Sequence, residues 1–125
     1  MKIKRTVILL LILLCSALQA SPLTKQLKEK IRNTPAQEYI RIYIALTDNY
    51  NFMSIDETLG ELNKIERRDF VKSELKLFYT ESQKEILAQI KELETEGLVT
   101  NVKPLWITNV ILCEGTGEAI YKLAK

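Results

Sequence analysis

Histidine is absent from this sequence of 125 residues. Ser-His-Asp and Cys-His mechanisms need an imidazole as the general base near neutral pH, so this chain cannot carry either of them. Histidine-based zinc and iron sites are excluded for the same reason. The acidic residues lie between basic ones on predicted helix faces and form no recognisable catalytic pair. We therefore expect no catalytic residues, no metal and no cofactor on this chain.

Cysteine is almost as scarce, because only Cys15 and Cys113 are present. Cys15 lies within the first twenty residues, which have the pattern of an export signal. Removal of that segment would leave Cys113 alone and exclude an internal disulfide. An unpaired thiol can link two molecules, but a small buried apolar side chain is the favoured interpretation of Cys113.

A secretory signal peptide is predicted for residues 1–20. Three basic residues stand near its start: Lys2, Lys4 and Arg5. An apolar run over residues 7–14 and a group of small residues follow, which predicts cleavage after Ala20 or, alternatively, after Ala17. The run is shorter than the roughly 20 apolar residues that a membrane-spanning helix needs. We expect secretion to a periplasmic or extracellular location, with a retained membrane anchor as the less favoured alternative.

The rest of the chain carries almost no net charge. The leader contains three of the 18 basic residues, which leaves 15 basic against 16 acidic residues. Binding to nucleic acid needs a basic surplus that neutralises phosphates. We therefore expect no nucleic acid among the partners.

The first half of the remaining chain predicts an arm and a strand. Residues 21–37 form a short helical arm or linker, because Ser21 and Pro22 are typical of a helix start and Pro35 of a break. Residues 38–46 alternate with period two, which predicts a half-buried strand. One face of this strand carries Ile40, Ile42, Ile44 and Leu46. The opposite face carries Tyr39, Arg41 and Tyr43, and is either a docking face or a tolerated strand surface.

A long helical pattern follows between Ser54 and Gly97. Residues 54–57 have the form of a capping box, and apolar residues then recur at spacings of three and four up to Leu93. A break within residues 60–67 predicts two helices, the second of which Gly97 should end. A coiled coil is the alternative, but Gly60 and extra apolar residues interrupt the heptads.

Two short strands and a last helix complete the pattern. The strands are predicted at residues 98–103 and 107–113, and Thr116 should cap a helix over residues 118–123. Trp106 follows Pro104 at the hinge between the strands, and we expect it to be largely buried. The order predicts an α+β fold of split β-α-β, ferredoxin-like topology. It would have an antiparallel sheet and two helices on one face, but lack the final strand.

Residues 38–125 resemble the inhibitor-type N-terminal propeptide of subtilisin-like serine proteases, the subtilase prodomain. The resemblance is carried by the strand Tyr39-Ile40-Arg41-Ile42-Tyr43-Ile44, the helix containing Glu81-Ser82-Gln83, the strand entry Gly97-Leu98-Val99, and Pro104-Leu105-Trp106-Ile107-Thr108-Asn109-Val110-Ile111. The closing segment, residues 118–124, is similar to the second helix of the family. The order and spacing of these pieces carry the match.

The resemblance implies an intramolecular chaperone that helps a serine protease to fold and then acts as its inhibitor. The partner would be the catalytic domain of a subtilisin-like protease, in cis or in trans. The docking face implied by the family comprises Tyr39, Arg41, Tyr43 and Asn109. Gly97, Trp106 and Asn109 are implied to be structural positions.

The last strand of the family, its substrate-like tail and the catalytic domain do not follow Lys125 in this sequence. One interpretation is that the chain is the front part of a longer peptidase precursor, and inhibition by this part alone is then expected to be weak. The alternative is a free-standing ferredoxin-like interaction module that self-associates through its exposed edge strand.

Overall fold

The computed structural model describes residues 22–125, so the predicted signal peptide lies outside the described residues. The described part has an α+β fold, as predicted. Its helices are α1 (Lys25–Asn33), α2 (Asp56–Glu61), α3 (Lys64–Thr95) and α4 (Gly117–Leu123). Its strands are β1 (Ile40–Ala45), β2 (Val99–Leu105) and β3 (Val110–Gly115). Short 3-10 turns cover Phe52–Ile55 and Trp106–Thr108.

Helix α1 begins later than the sequence pattern predicts. The side chain of Thr24 accepts a hydrogen bond of 3.2 Å from the Leu27 amide, so Thr24 caps the helix. The apolar residues Leu23, Leu27 and Ile31 pack against the main core. The arm is therefore part of the same hydrophobic core as the sheet.

The alternation predicted for β1 is confirmed. Ile40 and Ile42 are buried and Ile44 is half-buried, whereas Arg41 and Tyr43 are exposed. Successive side chains of a strand point to opposite faces, so the isoleucines turn toward the helices and the other residues turn away from them.

The predicted break between two helices is confirmed, but the capping box lies elsewhere. Asn63 accepts hydrogen bonds from the Ile65 and Glu66 amides, and the Glu66 carboxylate accepts one from the Asn63 amide. Residues 54–57 instead belong partly to a 3-10 turn, and α2 starts without a side-chain cap. Helix α3 packs on the sheet through residues such as Ile90 and Leu93, as expected for a globular domain.

Gly97 ends α3 as predicted. Its φ of 73° is left-handed, and its amide donates to the Glu94 carbonyl while the Leu98 amide donates to that of Leu93. These two bonds form a Schellman motif, in which glycine avoids the strain that a Cβ atom would cause.

The third strand starts at Val110 rather than at residue 107. Residues 106–108 form a 3-10 turn, and Asn109 follows with a left-handed φ of 49°. The strand then runs into Thr116, whose hydroxyl oxygen accepts a bond of 3.3 Å from the Ala119 amide. Thr116 therefore caps α4, as the sequence predicts.

The sheet has the order β1-β3-β2, and both pairs are antiparallel. Because β1 and β2 are each antiparallel to β3, which lies between them, they are parallel to each other. The connection from β1 to β2 contains α3. The core includes Ile111 and Cys113 of the central strand, which are almost completely buried. Strands β1 and β2 add Ile40, Ile42 and Val99 to this core, and helices α1, α3 and α4 pack on the same face. The candidate site lies on the opposite face of the sheet.

Candidate protein-docking face

The outer face of the sheet is formed by the residues that alternate with the core positions. In β3, Ile111 and Cys113 are buried, so Leu112 and Glu114 project to the other side and are half-buried. None of the helices described in residues 22–125 supplies its core residues to this side. We call this surface, centred on Tyr43, Leu112 and Glu114, the outer face.

Tyr43 is the most accessible aromatic residue of the outer face, with 71% of its surface exposed. It lies opposite Leu112 in the β1–β3 register, and Leu112 lies opposite Lys103 in the β2–β3 register. These residues form one row across the three strands. The row combines a large aromatic ring, an aliphatic side chain and a lysine, and of these the aromatic ring is the type that protein interfaces favour.

Arg41 lies in the next row and is held in place by an ion pair. Its Nη2 atom is 3.2 Å from Glu114 Oε1, and Asn101 Nδ2 donates to Glu114 Oε2 at 2.9 Å. The hydrogen bonds from Asn101 and Arg41 lower the pKa of the Glu114 carboxyl. Because Arg41 is largely exposed, this pair adds little stability, but it orients the guanidinium over the sheet.

Tyr39 reaches across the outer face instead of projecting freely from it. Its hydroxyl donates a hydrogen bond of 2.6 Å to the Gly97 carbonyl, which ties the entry of β1 to the end of α3. The ring is still partly exposed. Exchanging Tyr39 would therefore change both the surface and a contact inside the fold, whereas exchanging Tyr43 would change the surface.

Asn109 lies at the end of the sheet and is 4% exposed, so its side chain is inside the fold. Its Nδ2 atom donates to the Asp48 carbonyl and to Ser82 Oγ, each at 3.2 Å. Its Oδ1 atom accepts from Gln83 Nε2 at 3.2 Å. The structure thus places Arg41 and Tyr43 on β1, with Tyr39 directly before it, and places Asn109 apart from them.

Gln83 belongs to the Glu81-Ser82-Gln83 segment that carries part of the family resemblance, but no buried contact was predicted for it. It is 2% exposed and also donates to the Leu105 carbonyl at 3.4 Å. The only local signal was the presence of Ser82 within an otherwise apolar helical stripe. A polar position in such a stripe indicates a buried polar partner, but does not identify it.

Trp106 is half-buried, not largely buried as expected. The 3-10 turn places its ring beside Val71 and Leu75 of α3, where it lines an open groove. The expectation failed because it assumed that Trp106 lay between two strands. The turn instead moves this side chain out of the sheet.

The described residues offer no other obvious chemistry. Residues 22–125 contain no cluster of three or more histidine, cysteine, aspartate or glutamate residues able to hold a metal ion. In the same range, no helix is both long enough and apolar enough to cross a membrane. The feature that stands out in the described residues is the exposed outer face of the sheet.

Comparisons with protein-family models, with curated proteins and with solved structures found no match to this chain.

Proposed function

We propose that this protein is an exported, propeptide-like domain that binds a subtilisin-like serine protease, assists its folding and inhibits it. The observation that carries the proposal is the uncovered outer face, at the centre of which Tyr43 is 71% exposed. The strand order β1-β3-β2 with a crossover helix supports a ferredoxin-like fold with three of its four strands.

The outer face has the composition that protein interfaces favour. Tyrosine and arginine are enriched at binding hot spots, because tyrosine buries a large rigid area and arginine donates several hydrogen bonds from one planar group. Arg41 is already oriented by Glu114, so less entropy is lost when a partner binds. In this proposal the sheet packs against the catalytic domain, in cis or in trans, and stabilises its native arrangement.

A refolding experiment tests the chaperone activity. The catalytic domain of a subtilisin-like protease is unfolded in guanidinium and diluted into buffer with or without the exported protein. Added protein should raise the recovered peptidase activity several-fold after the complex is dissociated. An equal yield with and without it would contradict the proposal. Peptidase assays on the folded enzyme measure inhibition in parallel.

Self-association through β1 is a second candidate, because the two edges of the sheet differ. The Leu46 amide donates to the Asn109 carbonyl at 3.0 Å, so by alternation the even-numbered residues of β1 pair with β3. The backbone groups of Arg41, Tyr43 and Ala45 therefore point to an edge that no other described strand covers.

The edge of β2 is protected against such pairing. Its register is shifted between Thr100 and Lys103, and Asn101 has a left-handed φ of 55°. Pro104 lies opposite Ile111, whose backbone groups pair with β1 and not with β2. The backbone nitrogen of Pro104 therefore faces the open edge, where it has no hydrogen to donate. Bulges and prolines are typical protections of an edge strand, and β1 has neither.

An Ala45→Pro variant separates the two candidates. It removes an outward amide from the β1 edge but leaves the side chains of Tyr43 and Arg41 in place. Sedimentation measures whether the parent forms a dimer that this variant loses. A dimer lost in the variant would favour self-association, whereas a monomeric parent would exclude it. Protease binding that survives the substitution would support the outer face.

A further inference from the structure

Helix α3 extends well past the sheet on which it packs. It has 32 residues and is therefore about 48 Å long, whereas β1 has six residues and spans about 20 Å. The buried residues of α3 are Gln83, Ile90 and Leu93, all in its second half. The first half therefore does not cover the main core.

An apolar groove of about 540 Å³ lies beside this first half. We call it the Trp106 groove. Its apolar lining consists of Leu59 from α2, Val71 and Leu75 from α3, and Trp106 and Ile107 from the 3-10 turn. Ile107 is 66% exposed and Trp106 is half-buried, so the groove is open to solvent.

Cations border the Trp106 groove. The charged residues that line it are Arg67, Arg68 and Lys72, with no carboxylate among the lining residues. Arg68 is paired with Asp69 at 3.0 Å. Within the described chain no carboxylate pairs with Arg67 or Lys72, and Arg67 uses its Nε atom to donate to the Leu62 carbonyl at 2.7 Å. Uncompensated positive charge therefore stands beside exposed apolar surface.

We propose that the Trp106 groove binds an acidic amphipathic helix of a partner protein. The apolar face of such a helix would cover Trp106 and Ile107, and its carboxylates would pair with Arg67 and Lys72. Tryptophan and arginine are the residue types that most often dominate binding energy. The groove follows one side of α3, where Val71 and Leu75 are one turn apart, as in other helix-in-groove sites.

The division of the apolar lining among three elements favours a peptide over a membrane surface. An amphipathic helix that binds a lipid surface lies flat on it with a continuous apolar face. Here the apolar residues come from three separate elements and surround a depression. The groove shares no residue with the Tyr43 row of the outer face, so this binding is separate from the proposed contact with a protease.

The single tryptophan provides a direct measurement, because the emission of the protein reports on Trp106 alone. The probe is a synthetic helical peptide with leucine on one face and glutamate on the other, and the matched control peptide has lysine in place of glutamate. Titration of the exported protein should give a saturable blue shift with the acidic peptide only. Added salt should weaken this binding, since the charges are exposed.

Three variants assign the binding to the groove. Lys72→Glu and Ile107→Glu each place a carboxylate at the groove and should weaken binding about tenfold or more. Lys84→Glu alters an exposed lysine farther along α3 and should bind as the parent does. Circular dichroism verifies that each variant is folded.

Two results would overturn the proposal. One is the absence of saturable binding of the acidic peptide to the folded parent. The other is equal weakening by Lys84→Glu, which would indicate a general charge effect. If phosphatidylglycerol vesicles shift the Trp106 emission and the acidic peptide does not, the groove binds a membrane surface instead.

Discussion

Gln83 Nε2 donates a hydrogen bond of 3.2 Å to Asn109 Oδ1, and both side chains are almost completely buried. This contact joins the middle of α3 to the turn that precedes β3. Asn109 extends the network to the Asp48 carbonyl, so the loop after β1 is fixed by the same side chain. One buried amide pair thus sets the position of three segments at the end of the sheet.

Replacing Gln83 with alanine should lower the free energy of unfolding by about 2 kcal/mol, because the buried Asn109 oxygen loses its donor. Urea unfolding followed by circular dichroism measures the change. Gln89 is an exposed glutamine on the same helix, and Gln89→Ala should change stability by less than about 0.5 kcal/mol. Equal stabilities of the two variants would mean that the buried bond contributes nothing.

Gly117 lies so close to α1 that a side chain there would displace Ile31. A Cβ atom at this position would be 2.8 Å from Ile31 Cγ2. We therefore expect Gly117→Ala to destabilise the protein by about 1–3 kcal/mol, as other overpacked contacts do. A double variant with Ile31→Ala should recover part of this loss, because the two substitutions act on the same contact.

Gly60 is the matched control for this measurement. Nothing lies within 4 Å of a Cβ atom at Gly60, which is inside α2. Gly60→Ala should be neutral or stabilise the protein by about 0.5–1 kcal/mol. If both glycine substitutions had the same effect, the close approach of Ile31 would not be the cause.

Cys113 should be unreactive in the folded protein. Burial raises the pKa of its thiol to about 11, so the nucleophilic thiolate is scarce near neutral pH. A thiol reagent should modify Cys113 only at the rate of unfolding, and non-reducing gels should show no disulfide-linked dimer. Rapid modification of the folded protein would contradict its burial.

The raised pKa of Cys113 also affects stability at high pH. The thiolate forms more readily in the unfolded chain, so the buried neutral thiol contributes stability that is fully present below the unfolded pKa of about 9. This contribution to stability is lost as the pH rises toward 11. The loss at pH 10 should be on the order of 1 kcal/mol. Cys113→Ala removes this part of the pH dependence, and unfolding curves of both proteins between pH 8 and pH 10 test it.

Local rules predicted much of the fold. The alternation of β1, the Thr116 cap and the Gly97 terminus all depend on neighbours within a few residues, and each is confirmed. The start of β3 was missed because the apolar Ile107 continues the strand pattern. The turn at Asn109 is stabilised by Gln83, which is 26 residues away in the chain.

The candidate site was predictable only in part. Alternation predicts that Tyr43 and Arg41 share the exposed face of β1, and the structure has them there. It does not reveal that Tyr39 bonds to Gly97, 58 residues away, or that Arg41 pairs with Glu114, 73 residues away. Those contacts depend on strand order and register, which a single sequence does not specify.

Titration calorimetry of a folded subtilisin-like catalytic domain with this protein tests the role of the outer face most directly. The parent should bind, and Tyr43→Ser should weaken binding about tenfold or more, because an exposed aromatic residue at an interface centre carries much of the binding energy. Tyr121→Ser is the control, since Tyr121 is a partly exposed tyrosine on α4, on the helical side of the sheet. No binding by the parent, or equal affinities of the parent and Tyr43→Ser, would contradict docking through this face.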